Sequence, residues 1–275
     1  MTTRRDYNAE SLQAARSVLI ELVQILGEFR DQIVVVGGSV PGLLLRDARD
    51  QHVGTLDIDL ALDFRNIPET SYQTILKALA SRGYRQGEQP FQFFRDVPSP
   101  GREPILVEVD LLAGQYGGSG RSHRTQIVQD ARARKTRGCD LVFQSNEMVA
   151  IEGELPGGGH LKVQCRVAAI VPFLVMKGMA LADRLKEKDA YDIYYCVGRY
   201  PGGVSALAEA FRPHIGNQLV REGLTKIKEK FLSPDAAGPK WVADFLEIAD
   251  PEERAIQQRA AYEQITALLQ SLGIP

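Results

Sequence analysis

The chain has 275 residues, 44% of them hydrophobic and 25% charged, with a formal net charge of −2. That length suits one large or two ordinary domains, and that balance is that of a soluble globular protein, not a disordered or membrane one. A charge so near zero gives no global attraction to nucleic acid, so any such binding must come from a local patch. The three cysteines, Cys139, Cys165 and Cys196, are odd in number and lack zinc or disulfide spacing, as in a reducing compartment. The first residues run into an amphipathic pattern without a signal-peptide core, and the most apolar segment, 167–176, is too short to cross a bilayer. The expectation is a cytoplasmic protein with no membrane partner.

In chain order, Leu12, Ala15, Leu19, Leu22, Val23 and Leu26 form one helical stripe, capped by Asn8 or Ser11, which predicts a helix to about Phe29. Ile33–Val36 is β-branched throughout, as in a strand covered on both faces. Gly37-Gly38-Ser39 turns the chain, and Pro41 suits the first turn of a helix predicted over 40–46. After a polar loop, a strand is predicted over 56–64, with Ile58, Leu60 and Leu62 on one face and Asp57, Asp59, Ala61 and Asp63 on the other. Pro68 opens a predicted helix that carries Tyr72, Ile75, Leu76 and Leu79 inward and stops at Gly83.

Strands are expected over 91–95 and 105–112, the second placing Glu108 and Asp110 on one face. Residues 114–120 read as a flexible connector, and 140–143, 148–152 and 160–167 as three short strands. Between them lies a basic segment, 121–137, with Arg121, His123, Arg124, Arg132, Arg134, Lys135 and Arg137. From Pro172 the pattern turns helical, to about 185, then from 188 to 197, then over 204–272 with breaks at Pro213, Gly216, Pro234, Pro239 and Pro251. This predicts an α/β unit over 1–167 and a helical domain over 168–275.

Two carboxylates at i and i+2 of a strand share a face, where like charges are unfavourable without a cation. A Gly-Gly-Ser turn leading into a helix favours anions. With Asp110 on a later strand, these are the parts that nucleotidyl transfer needs: carboxylates that bridge two divalent metals ~4 Å apart. Asp57 and Asp59 would hold the metals, Asp110 would complete the attacking side, and Ser39 would hold the β- and γ-phosphates. Glu108 and Asp63 read as supporting or solvated acids. The four histidines lack metal spacing, and the absence of Gly-Lys-Ser/Thr and Gly-x-Gly-x-x-Gly excludes P-loop and Rossmann readings.

The order VVVGGS, TLDIDLAL and VEVDLL resembles the DNA polymerase β-like nucleotidyltransferases. The seventeen residues between Ser39 and Asp57 exceed the spacing of the minimal members, which an insertion over 46–54 would accommodate. Downstream, Met176-Lys177, Arg184 and Lys188-Asp189-Ala190-Tyr191-Asp192 are similar to motifs of AbiEii-type nucleotidyltransferase toxins, a group that includes the mycobacterial MenT toxins. The resemblance implies an α+β fold: a minimal mixed sheet flanked by helices, followed by a helical domain. It implies Mg²⁺ or Mn²⁺ on Asp57, Asp59 and Asp110, and an NTP bound by Gly37, Gly38, Ser39, Lys177 and Arg184. Lys177 would neutralise the leaving pyrophosphate, and Asp189 or Asp192 would orient Lys177 or a basic neighbour.

Residue pattern agrees in part, because Lys177, Leu181 and Arg184 share a helix face and a buried lysine needs an acidic or phosphate partner. The bland alternative for 188–192 is a charge pattern that complements a helix dipole. The function implied is transfer of a nucleoside monophosphate to the tRNA 3′ end by a type IV toxin with a cognate antitoxin. The basic segment 121–137, by default a solvated face, would then track RNA phosphates; it holds no interleaved aromatics for stacking. Two alternatives remain: a small-molecule, antibiotic-modifying nucleotidyltransferase, and a catalytically silent binding module of the same fold.

Overall fold

Asn8 accepts a hydrogen bond from the Ser11 backbone N–H and starts α1 (Ala9–Ile25). In this computed structural model residues 3–67, 74–115, 125–128, 130–184 and 186–274 are described. The first helix stops at Ile25, short of the predicted Phe29, because the chain tightens into a 3₁₀ turn over Gly27–Phe29. Ala15, Val18, Leu19 and Leu22 bury its apolar stripe. Next come β1 (Ile33–Val36), buried at every position, a 3₁₀ turn over Gly37–Ser39, and α2 (Val40–Leu44), shorter than predicted. β2 (Asp57–Leu62) and α3 (Ile75–Ser81) follow, the latter capped by Thr74. The predicted start of that helix at Pro68, with Tyr72, lies outside the described residues.

A two-residue strand absent from the sequence reading, β3 (Arg85–Gln86), precedes β4 (Gln92–Val97) and the long β5 (Ile105–Gly114). The basic segment forms a hairpin, β6 (Thr125–Val128) and β7 (Ala131–Thr136), while Arg121, His123 and Arg124 lie outside the described residues, as does most of the predicted connector. Residues 140–143 were expected as a strand and instead form the helical turn α4 (Leu141–Gln144). The cause is local: Gly138 takes φ +84°, and its carbonyl accepts from the Leu141 N–H at 3.1 Å. β8 (Asn146–Glu154) and β9 (His160–Ala168) close the series as a hairpin.

Among the described residues these strands form one nine-stranded mixed sheet, ordered β3-β4-β5-β2-β1-β9-β8, with β7 on β5 and β6 on β7. The pairings β2–β5, β1–β9 and β5–β7 are parallel and the others antiparallel, so the fold is α+β with an open mixed sheet flanked by helices. A buried ion pair, Arg95 Nε to Glu21 Oε2 at 2.9 Å, pins α1 to β4.

The remaining helices are α5 (Ile170–Asp183), α6 (Glu187–Arg199), α7 (Gly203–Phe211), α8 (Gln218–Lys230), α9 (Ala237–Phe245) and α10 (Pro251–Ser271). Pro251 opens α10 at its first position, behind Asp250, whose carboxylate caps the Glu252 and Glu253 N–H groups. Among the described residues no helix is long and apolar enough to cross a membrane. The chain divides into two compact units. One is Asn8–Leu43 with Gly54–Ala169, and holds the sheet; the other is Met1–Tyr7, Leu44–Val53 and Ile170–Pro275. The long spacer before Asp57 therefore leaves the sheet unit and joins the helical one.

Within the helical unit, α5 and α8 cross at a pair of glycines. A Cβ on Gly178 would lie 2.4 Å from the Gly223 carbonyl oxygen. Helix propensity alone would make Gly178→Ala stabilising by about 1 kcal/mol. The crossing reverses that sign: Gly178→Ala should destabilise by about 1–3 kcal/mol through overpacking, read as a lower urea midpoint. An unchanged or raised midpoint would show that the helices can separate without cost.

Candidate active site

Strand register assembles a row of acids in the sheet unit. Val36 of β1 lies opposite Asp59 of β2, and Asp59 lies opposite Asp110 of β5. Asp57 lies opposite Glu108, and Asp110 opposite Gln92 of β4. Directly opposed residues share a sheet face, so Asp57, Asp59, Glu108 and Asp110 stand together. Ile58, Leu60, Val109 and Leu111 are buried on the other face.

The turn after β1 is built against this row. Gly37 has φ +67°, and a Cβ there would fall 1.9 Å from Asp59 Oδ2. Only glycine both adopts that backbone and leaves room for the carboxylate. Gly38 is buried and Ser39 half-buried where the turn enters α2. Because α2 spans only Val40–Leu44, little helix dipole stands behind the turn, and the backbone N–H groups must carry any anion binding.

Each acid has a distinct neighbour. The Thr55 hydroxyl donates to Asp57 Oδ1. Gln92 Nε2 donates to Glu108 Oε1 at 2.7 Å, which suits the supporting role expected of Glu108. Arg134 Nη2 lies 3.4 Å from Asp110 Oδ2. Asp140, which the sequence pattern placed in a strand, accepts from the Gln115 N–H at 3.0 Å and occupies the space where a Gly114 Cβ would be. Burial pushes the neighbouring Cys139 thiol up, and Asp140 and Asp59 add to the shift.

A divalent cation can be judged against these donors. They are all carboxylate oxygens, the hard ligands that Mg²⁺ and Mn²⁺ prefer. The cradle that a Cβ on Gly37 would fill keeps Asp59 Oδ2 at the edge of the phosphate-type turn. Among the described residues no three His, Cys, Asp or Glu side chains converge as a ready-made metal cage. Magnesium needs none, since it usually takes one or two carboxylates and completes its shell with water and substrate phosphate. The donor set fits the group.

The helical unit, taken by itself, holds a buried charge network. Lys177 Nζ on α5 is 2.7 Å from both Asp189 Oδ1 and Asp192 Oδ2 on α6. Arg184 Nε is 2.9 Å from Asp189, and Lys188 Nζ is 2.9 Å from Asp192. The sequence left open which acid orients Lys177; both touch it. The dipole-pattern alternative for 188–192 does not describe this arrangement, because Asp189 and Asp192 are almost fully buried and ion-paired.

Burial alone would strip the charge from Lys177, but Asp189 and Asp192 outweigh it and hold the ammonium above its ordinary value. Burial would also push the Asp192 carboxyl up; Lys177 and Lys188, helped by His52, keep it well below the usual range. The lysine is thus a fixed positive charge.

His52 joins the same network and carries no signal in the sequence pattern beyond its place in the long spacer. Its Nε2 is 2.9 Å from Asp192 Oδ1, and its ring stacks on Tyr191 at 5.4 Å. Tyr195 donates to the Asp50 carbonyl at 2.7 Å, and Arg199 reaches the Asp50 carboxylate at 2.6 Å. Burial lowers the His52 pKa from 6.5 despite Asp192, with Lys188 and Lys177 assisting. The neutral ring donates from Nε2.

No protein-family model matches the chain, and no curated protein matches it.

Two outcomes follow from the buried network. Lys177→Met leaves two buried carboxylates without their shared cation and should cost about 3–5 kcal/mol in urea unfolding. For His52, the unfolded ring titrates near 6.5 and the folded ring lower, so the unfolded chain binds more protons below that pH and stability falls as the solution is acidified. His52→Asn keeps a donor for Asp192 without that titration. The wild-type minus variant difference in Tm should therefore shrink from pH 7 to pH 5.5; a difference independent of pH would contradict the assignment.

Proposed function

We propose that the protein is a divalent-metal-dependent nucleotidyltransferase with a minimal polymerase β-like catalytic fold. It transfers a nucleoside monophosphate from an NTP to an acceptor hydroxyl, with the tRNA 3′ end as acceptor. In this reading it acts in the cytoplasm as the toxin of a type IV toxin–antitoxin pair, restrained by a cognate antitoxin. The observation that carries the reading is the row in which Gly37 yields its side-chain space to Asp59 and Asp59 stands in register with Asp110.

The acceptor oxygen attacks the α-phosphorus, a new P–O bond forms, the α–β bridge breaks, and pyrophosphate departs. Asp57, Asp59 and Asp110 hold Mg²⁺ or Mn²⁺, which when bound polarises the phosphoryl oxygens and acidifies the attacking hydroxyl. Asp110, at the side of the row away from the Gly37–Ser39 turn, accepts the proton of that hydroxyl. Backbone N–H groups of the turn, with the Ser39 hydroxyl, bind the β- and γ-phosphates. Within the helical unit Lys177, kept charged by Asp189 and Asp192 and with Arg184 beside it, has the charge that suits a phosphate ligand.

An antibiotic-modifying reading would use the same acids but needs an acidic pocket for a cationic acceptor. Arg134 beside Asp110 and the exposed Arg132 two residues before it disfavour such an acceptor.

The test is incubation with each labelled NTP, Mg²⁺ and either total tRNA or an aminoglycoside. Label should enter tRNA, and Asp59→Asn should slow transfer by at least about a hundredfold. Transfer by Asp59→Asn at the wild-type rate would remove the acids from the mechanism.

A further inference from the structure

The row of acids has two unlike ends. At one end is the Gly37–Ser39 turn, against Asp59. Beyond Asp110 at the other end lie Phe91, just before β4, and Arg134 on β7. Register fixes both. The Phe91 carbonyl accepts from the Leu111 N–H at 2.9 Å, next to Asp110. Arg134 is opposite Leu112, which shares a face with Asp110 two residues earlier. From there its guanidinium reaches back to Asp110, Nη2 to Oδ2 at 3.4 Å, and lies 5.4 Å over the Phe91 ring.

Three features separate this pair from a simple ion pair. The guanidinium contacts a carboxylate on one side and an aromatic ring on another, its carbon 5.4 Å from the ring centroid. The Arg134 side chain is 37% exposed while that of Asp110 is 14% exposed, so the arginine is the part that solvent and ligands meet. Arg132, two residues earlier on the same strand face, is also exposed. The row from Val36 to Gln92 crosses four strands, about 14 Å at ~4.8 Å per step. A triphosphate seated at the Gly37–Ser39 end leaves the Arg134 end to the attacking group.

We propose that Arg134 and Phe91 form the stacking platform for the terminal base of a single-stranded RNA acceptor, with Arg132 on its phosphates. This rests on the nucleotidyltransferase reading above and specifies its acceptor side. A planar, partly exposed guanidinium beside an aromatic ring offers a nucleobase flat surfaces on which to stack. The aromatic partner absent from residues 121–137 comes from a distant stretch that the sheet brings alongside. A small cationic acceptor would meet repulsion at the same place.

The experiment measures binding of a fluorescein-labelled oligoribonucleotide with a tRNA 3′-end sequence by anisotropy, without NTP, and transfer kinetics for acceptor and NTP separately. Arg134→Gln on β7 and Phe91→Leu just before β4 should each weaken oligonucleotide binding and raise the acceptor KM about tenfold, with the NTP KM unchanged. Arg134→Lys keeps the charge beside Asp110 but not the planar face, and should retain kcat while showing a raised acceptor KM. If Arg134 only steadies Asp110, Arg134→Lys will match wild type and Arg134→Gln will lower kcat at constant acceptor KM; that overturns the platform. Wild-type transfer with unaltered oligonucleotide affinity in Arg134→Gln and Phe91→Leu overturns it as well. Absence of transfer by the wild type to any acceptor overturns the nucleotidyltransferase reading itself, and the platform with it.

Discussion

The candidate chemistry depends on one close approach, the Asp59 carboxylate lying where any side chain at residue 37 would have to be. That contact joins two consecutive strands at the point where the first one ends. It fixes the rotamer of Asp59, forces Gly37 into a left-handed conformation, and so aims the Gly37–Ser39 turn. Parallel pairing of β2 with β5 then brings Asp110 to the same row, although 50 residues of chain intervene. Side chains on a sheet face keep their spacing because the ladder fixes it, so the row of acids needs no further scaffold.

The helical unit meets a different constraint: it buries charge. Three cations and two carboxylates meet around Lys177, and a neutral His52 completes the shell of Asp192. Lys177 is the hub of this network, shared by both carboxylates. The spacer over 44–53 gives this unit His52 and Asp50 while its flanks continue into the glycine turn and into β2. The segment between the glycine turn and β2 is therefore structural material for the helical unit.

Periodicity was enough to find the long elements. The β-branched run Ile33–Val36 marked a strand buried at every position, and the alternation through Asp57–Leu62 marked the adjacent strand, whose first residues differ in burial from face to face. The acids were legible for the same reason, since Asp-x-Asp between apolar residues has few cheap structural explanations. Short elements were not: α4 depends on the left-handed turn at Gly138, and β3 has only two residues. His52 and Asp140 were illegible because their surroundings come from remote segments, and no local pattern distinguishes them from surface polar residues. Phe91 and Arg134 were each visible alone, but only the β4–β5–β7 pairing makes them neighbours.

The central claim is that the row of acids and the glycine turn bind one metal–triphosphate unit. It is tested most directly by a crystal structure with Mn²⁺ and a non-hydrolysable NTP analogue, using anomalous scattering to locate the metal. The account predicts manganese coordinated by Asp59 together with Asp57 or Asp110, and the triphosphate on the Gly37–Ser39 backbone. A nucleotide bound elsewhere, with these carboxylates bare at saturating Mn²⁺, would contradict it.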